Sequence, residues 1–435
     1  MKEQFDAKVS RLFYPDELSP VHFNGSHVYS ITFQVTEDCN QNCTYCYQHN
    51  KKPNKMTFEI AKQFVDMLLE ADEKTAGYID SINTRGVILD FIGGEPFLEI
   101  ELIDKICDYF LERAFQLKHP WATRYMISLC SNGLLYFDPK VQAFLNKHKN
   151  RLSLNITIDG NKELHDACRL DLHGNGTYDR AMAAVKHYTK VLGGEIGSKM
   201  TIAPENVGLI GSAVTNLLEN GYDEINLNCI FEEGWTAEHA VTLYSQLKFL
   251  ADFLVANDLY DKVKLSIFND SIGHPLSPED NMNWCGGAGL MLAVDWKGDI
   301  FPCLRYMDNA IGEKQPRFTI GTVCDGLMNT PEHLERAKCL SCITRKSQST
   351  DECFNCPIGS GCAWCTAYNY EVTGTPNQRV TYICIMHKAR VLGTAYYYKR
   401  IAEKKGIKST YRLDIPKEWA LQIIDEDEYN SLKEV

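Results

Sequence analysis

The chain has 435 residues, 44% of them hydrophobic, and a formal net charge of −12, enough for one large domain and a smaller one and lacking the basic excess that a nucleic-acid partner needs. No apolar run reaches the roughly 18 residues of a membrane span. The first residues, MKEQFDAKVSRLF, lack the apolar core of a signal peptide, so a cytoplasmic setting without a membrane partner is expected.

After an N-terminal extension over 1–27, strand-like and helix-like segments alternate. Strand patterns at 28–36, 86–92, 124–130, 152–158, 198–203 and 224–230 are separated by helical spacings at 58–71, 100–115, 139–148, 177–191 and 207–219. Six strands alternating with helices predict an α/β fold with a parallel sheet, a partial (β/α)6 TIM-like barrel over 28–235. In such barrels chemistry sits at the C-terminal ends of the strands. A helical pattern at 237–257 leads out through a linker region, 236–281. Periodicity then fades and cysteine becomes dense over 282–390, which reads as a small metal-stapled domain. A helix at 394–405 and a tail containing Asp425, Glu426, Asp427 and Glu428, read as a surface strap, complete 391–435.

The chain has 17 cysteines, and in a protein of this size their tight spacings favour metal or cluster ligation over disulfides. Directly after the first strand, TEDCNQNCTYCYQHN sets Cys39, Cys43 and Cys46 as C-x3-C-x2-C. Thiolates are soft ligands suited to iron–sulfur clusters. Three of them leave one iron of a [4Fe–4S] cube open. A zinc knuckle completed by His49 is the competing reading.

This spacing after a first strand resembles the radical S-adenosylmethionine (AdoMet) superfamily, with Tyr45 matching an aromatic common there. Gly93-Gly94-Glu95-Pro96 resembles the family's GGE motif, which contacts the methionyl amino group. Ser131-Asn132-Gly133 is similar to a small-Asn-Gly turn near AdoMet. Asp159, Gly160, His165, Asp166 and Arg169 match a pattern of the peptide-modifying branch, in which Arg169 pairs with the AdoMet carboxylate. Ser153 and Thr201 are either ribose or carboxylate contacts or buried hydroxyls bonded to backbone. The resemblance implies that Cys39, Cys43 and Cys46 carry the catalytic cluster, that an electron breaks the AdoMet C5′–S bond, and that the 5′-deoxyadenosyl radical takes hydrogen from a substrate. The electron would come from an external donor such as flavodoxin or ferredoxin.

Further on, Cys285 is followed after 12 residues by Gly298 and after four more by Cys303; then come Cys353, Cys356, Cys362, Cys365 and Cys384. This order resembles the SPASM domain, which holds two auxiliary [4Fe–4S] clusters, making three in all. Carried over, Cys353, Cys356, Cys362 and Cys384 ligate the outer cluster, and Cys285, Cys303 and Cys365 the inner one. Residues 293–303 are expected to form a hairpin turning at Gly298. Two departures matter. The Cys362–Cys365 gap is two residues rather than three. No cysteine lies between Cys285 and Cys303 to complete the inner set, so either Cys339 or Cys342 supplies a ligand or one iron stays open to a substrate thiolate.

Cys107, Cys130, Cys168, Cys229 and Cys324 default to small buried hydrophobes, with Cys229 the candidate exception. Glu232 and Glu233 read as a solvated loop, with a peptide-binding pair as the alternative. The resemblance is greatest to maturases of ribosomally made peptides (RiPPs), especially those forging thioether crosslinks in cysteine-containing precursors. The alternatives are an anaerobic sulfatase maturase forming formylglycine, carbon–carbon crosslinking, and a non-enzymatic iron–sulfur electron carrier. Sulfatase maturases typically carry Gln before Gly-Gly-Glu-Pro, where this chain has Ile92. The AdoMet motifs count against a carrier.

Overall fold

The computed structural model describes residues 28–48, 50–70, 75, 78–79, 84–193, 198–283, 285–287 and 289–433. The extension over 1–27 and His49 lie outside the described residues.

The expected strands form in order: β1 (Val28–Gln34), then, after the short β2 (Gln41–Cys43), β3 (Gly86–Ile92), β4 (Tyr125–Ser131), β5 (Leu152–Ile156), the short β6 (Arg169–Asp171), β7 (Ser198–Ile202) and β8 (Glu224–Cys229). Helices Phe58–Glu70, Ile100–Gln116, Pro139–His148, Tyr178–Leu192 and Ile210–Glu219 connect them. β1, β3, β4 and β5 pair in parallel, and β7 and β8 form a second sheet with β9 (Lys264–Leu265). Among the described residues no ladder joins β5 to β7, so the barrel is open there.

Strand alternation sets the two faces. Leu152, Leu154 and Ile156 of β5 and Met200 and Ile202 of β7 are buried against helices. Ser153, Asn155, Lys199 and Thr201 therefore face the concave side. Phe33 stacks on Phe91 with centroids 5.2 Å apart and meets Phe64 of the first helix edge-on at 5.3 Å, a packing that favours aromatic side chains beyond their buried area.

Three features differ from the sequence reading. β10 (Met291–Val294) and β11 (Asp299–Phe301) form the expected hairpin, with Gly298 at φ +91°, a left-handed conformation open to a residue without Cβ. Yet β10 also pairs in parallel with β1, from Ser30↔Met291 to Phe33↔Val294. The cysteine-rich part thus continues the barrel sheet: the apolar MLAV strand covers an edge that β1 would otherwise leave unpaired.

The last long helix spans Cys384–Lys405 rather than starting near 394. It packs along helix Ala237–Ala256, and Gly393 allows the approach, since a Cβ there would stand 2.5 Å from Leu247 Cδ1. The tail is docked rather than a loose strap. Ile415, Ala420, Tyr429 and Leu432 are buried, and Glu428 accepts hydrogen bonds from Tyr244 and Lys248. No described helix is long and apolar enough to cross a membrane.

Candidate functional site

The C-terminal ends of β1, β3, β4 and β5 lie on one rim, and the loop leaving β1 carries Cys39, Cys43 and Cys46. Its middle is pinned by a small antiparallel ladder: β2 pairs with β6 so that Cys43 stands opposite Arg169. The Arg169 Nε donates to Asp159 Oδ2 at 2.7 Å, and its Nη1 lies 3.8 Å from Cys43 Sγ. The guanidinium sits 5.4 Å from the centroid of the Tyr45 ring, whose hydroxyl also donates to Asp159 Oδ2. Asp159 is 1% exposed and its Oδ1 has no partner.

Burial pushes the Cys39 thiol up to about 11, against the pull of Lys51. Burial likewise raises Cys43, opposed by Arg169. At Lys51, burial acts against the ammonium but is outweighed by Cys46 and Cys39, so it is held above its ordinary value. Two desolvated sulfurs, Cys39 and Cys43, with Cys46 beside them and two cations flanking, describe a site for bound thiolates, in which the cations offset the negative charge that ligation requires.

Gly93 and Gly94 back this loop. A Cβ on Gly94 would stand 2.7 Å from Cys39 Cβ and closer still to the Asp38 carbonyl oxygen, so only glycine lets the two loops touch. The Glu95 carboxylate turns inward. It accepts from Phe97 N (3.0 Å), Ser131 Oγ (2.8 Å) and Asn132 N (2.9 Å), while burial holds its pKa up against these donors. Glu95 and Ser131 therefore lock the β3 and β4 turns together. Strand parity explains Ser131: Ile127, Leu129 and Ser131 share the buried face of β4, leaving Ser128 and Cys130 on the concave face. Cys130 is exposed there, not a buried hydrophobe; Cys324 is exposed as well, whereas Cys107 is buried and Cys168 and Cys229 are partly so.

Ser153 lies in a polar row across the concave face, in register Thr32↔Asp90↔Ser128↔Ser153, with Thr32 donating to Asp90 at 3.2 Å. Thr201 is paired with Asn228 on the separate sheet. Period-2 alternation alone would have found Cys130 and Asp90. Nothing in spacing marks Lys51.

The later cysteines form two groups. Cys303 is buried, and its thiol is raised by burial and by neighbouring Cys365 and Cys285; Cys285 Sγ lies 3.2 Å from Thr366 Oγ1. The other group is Cys353, Cys356, Cys362 and Cys384, where burial pushes Cys362 to about 11 with the other three adding to the rise against Arg379. Cys339 and Cys342 sit on helix Pro331–Cys342, where burial and Cys342 raise the Cys339 thiol.

Glu232 is not a solvated loop residue: it accepts from Arg305 Nη2 at 3.2 Å. Arg305, two residues after Cys303, also lies 3.8 Å from Glu371 and stacks over Tyr47, beside Cys46, at 5.0 Å. Among the described residues, only Asp104, Asp108 and His148 converge to the spacing of a single ion, and Lys147 is already the cation there.

Residues 33–206 match the Radical SAM superfamily. A cysteine-type anaerobic sulfatase-maturating enzyme of Clostridium perfringens is 22% identical over 346 residues, covering 74% of this chain and 84% of the relative. Two relatives matched at 39% and 31% identity are covered over only 23% and 33% of their length. Native anSMEcpe with bound AdoMet and Kp18Cys peptide superposes with a TM-score of 0.59 at 18% identity, covering 87% of this chain and 100% of that one. Streptococcus suis SuiB bound to precursor peptide SuiA gives 0.53 at 15%, covering 88% and 87%. The cysteine loop, the glycine turn against it and the paired Arg169 fit the [4Fe–4S] cluster and AdoMet of that superfamily. Residues 33–206 thus form a domain that matches the radical SAM superfamily, and the fold continues through the cysteine-rich segment as in those two solved structures.

Proposed function

We propose that this enzyme is a maturase of ribosomally made peptides that forms thioether crosslinks at cysteine. In this reading Cys39, Cys43 and Cys46 hold the radical-generating cluster. Cys353, Cys356, Cys362 and Cys384 hold the outer auxiliary cluster. Cys285, Cys303 and Cys365 hold the inner one, with one iron left for a substrate thiolate. Bound AdoMet and its cluster supply a carbon radical on one-electron reduction by a flavodoxin- or ferredoxin-type donor.

The chain's own residues bind and orient. Arg169 stands where it can pair with a carboxylate, Gly93 and Gly94 keep the cluster loop against the rim, and Ser153 and Thr201 face the concave side, where a ribose or peptide can reach them. Arg305 ties the loop of Cys46 to the inner cysteines through Tyr47, Glu232 and Glu371. That proximity favours reaction between a held thiolate and a peptide radical.

The observation that carries the reading is the grouping of the inner triad. Cys285 and Cys303 Sγ lie 3.6 and 3.7 Å from where a Cβ on Gly287 would stand, and Cys285 Sγ is 3.2 Å from Thr366, next to Cys365, whereas Cys339 and Cys342 share the last turn of helix Pro331–Cys342. A three-thiolate cluster has an open coordination position. The fold neighbours with bound peptides support a peptide as the molecule that fills it.

The test is the intact mass of a cysteine-containing precursor peptide after anaerobic co-expression, read before and after thiol alkylation. Loss of two hydrogens per modified cysteine, with that cysteine no longer alkylated, is the expected result. Loss of two hydrogens with all thiols still reactive would replace thioether formation by carbon–carbon crosslinking.

A sulfatase-type reading has one observation in its favour besides the Clostridium relative. Gln34, 1% exposed with neither amide atom partnered, pairs in register with Ile92 and returns a glutamine to the layer where those enzymes carry one. A product that reacts with an aldehyde probe would establish it.

A further inference from the structure

The two auxiliary cysteine groups differ in how their neighbouring arginines are compensated. Beside the inner group, Arg305 is neutralised by Glu232 at 3.2 Å and Glu371 at 3.8 Å. Beside the outer group, Arg379 donates from Nη2 to Cys362 Sγ at 2.9 Å, and to the Cys362 and Ala363 carbonyls at 3.4 Å. No described carboxylate lies within ion-pairing distance of it. Its position is fixed by the Trp364 ring, 4.6 Å from the guanidinium carbon, and by its backbone amide donating to Gln348 O at 2.8 Å.

A second arginine, Arg390, approaches the same corner. Its Nη1 donates to Gly361 O at 3.4 Å, while Nε and Nη2 donate to Ile267 and Ser266 carbonyls. It too has no described carboxylate partner. The carboxylate acting on this group is Glu352, which faces Cys384, where Lys388 and Arg379 oppose it.

A cluster gains one negative charge on accepting one electron. A charge-assisted hydrogen bond to a ligand sulfur, and an uncompensated cation beside it, favour that reduced form and raise the reduction potential. We propose that Arg379, seconded by Arg390, makes the outer auxiliary cluster the more easily reduced of the auxiliary pair, so that an electron entering the pair rests there, away from the open iron of the inner cluster. This rests on the reading that Cys353, Cys356, Cys362 and Cys384 hold a cluster. It adds a division of labour: the inner cluster binds substrate sulfur, and the outer one stores the electron.

The test is a dithionite titration of the anaerobically reconstituted holoenzyme followed by electron paramagnetic resonance. The auxiliary signals are assigned with a Cys353→Ala/Cys356→Ala variant. In wild type the outer cluster is reduced at the higher potential. In Arg379→Gln its midpoint moves negative while the inner midpoint stays in place, and Arg379→Lys recovers part of the shift. Inner reduced before outer in wild type, or an unmoved outer midpoint in an Arg379→Gln protein with full iron and sulfide, overturns the proposal alone. If Arg379→Gln does not load the outer cluster, the wild-type order decides. A Cys353→Ala/Cys356→Ala variant with the same iron content as wild type overturns the cluster reading and the proposal together.

Discussion

Cys43 and Arg169 stand directly opposite each other in a three-residue antiparallel ladder although 126 residues separate them in the chain. This pairing brings the cation of one barrel loop to the sulfur of another and hands its orientation to Asp159, which is almost fully buried. The site is therefore preorganised by backbone pairing before any cofactor arrives.

Arg169→Leu should leave the Asp159 carboxylate buried without its cation. Removing one partner of a buried pair costs on the order of 3–5 kcal/mol. Urea denaturation of the apoprotein is expected to show a loss of that size. The double variant Arg169→Leu/Asp159→Leu should recover a large part of it, because the stranded charge is gone. Equal stability of single variant and wild type would mean that the pair contributes nothing.

Gly94→Ala places a methyl against Cys39 Cβ and the Asp38 carbonyl. Overpacking of this kind costs about 1–3 kcal/mol, and here the strain falls on the cluster loop. The expected outcome is a folded protein that retains the auxiliary iron but loses the first cluster, read as iron and sulfide per chain against a Cys39→Ala/Cys43→Ala control.

Much of this was legible in the sequence, and the failures have physical causes. The six strands and their helices follow from local periodicity, and the first cysteine loop from spacing alone. β10 pairing with β1 was not legible, because a short apolar strand carries no mark of which distant edge it will cover. The motif marks Ser131, but only strand parity and the fold show that it is buried and donates to Glu95 while Cys130 is exposed on the concave face. Arg379 lies 17 residues from Cys362 with no periodic relation to it, so only the fold discloses their contact.

Acid should weaken the apoprotein through His165, which is fully buried. Its Nδ1 accepts from Asp159 N, its Nε2 pairs with Thr177 Oγ1, and burial pulls its pKa to about 4. The unfolded chain binds the proton first, so this stability is complete above about pH 6.5 and is lost as pH falls toward 4. Between pH 7 and 5 the loss is about 2 kcal/mol at roughly 1.4 kcal/mol per unit, and His165→Gln should remove that slope from urea midpoints.

Asp295 acts in the opposite direction. Burial, with Asp299 adding, pushes its pKa to about 6 while it accepts from Lys297 N and Asp299 N in the hairpin turn. The folded state holds the proton more tightly, so the stability it contributes is present below the ordinary carboxylate value and lost as pH rises through 6. Asp295→Asn keeps an acceptor oxygen and should be more stable than wild type at pH 7.5 by on the order of 1–3 kcal/mol.

Replacing both Cys339 and Cys342 with Ala should leave iron content and the inner-cluster spectrum unchanged, since helix Pro331–Cys342 holds them as a pair of their own. Loss of inner-cluster iron would give one of them the fourth ligand position and close the site proposed for substrate sulfur.

The central claim is that the radical made at Cys39, Cys43 and Cys46 takes hydrogen from a peptide. The most direct measurement uses a cysteine-containing precursor peptide deuterated at its non-exchangeable carbon positions, incubated anaerobically with reconstituted enzyme, AdoMet and dithionite. The expected result is 5′-deoxyadenosine carrying one deuterium, formed together with a crosslinked peptide and absent from the Cys39→Ala/Cys43→Ala/Cys46→Ala variant. Unlabelled 5′-deoxyadenosine alongside an unchanged peptide, for every precursor tried, would contradict the account.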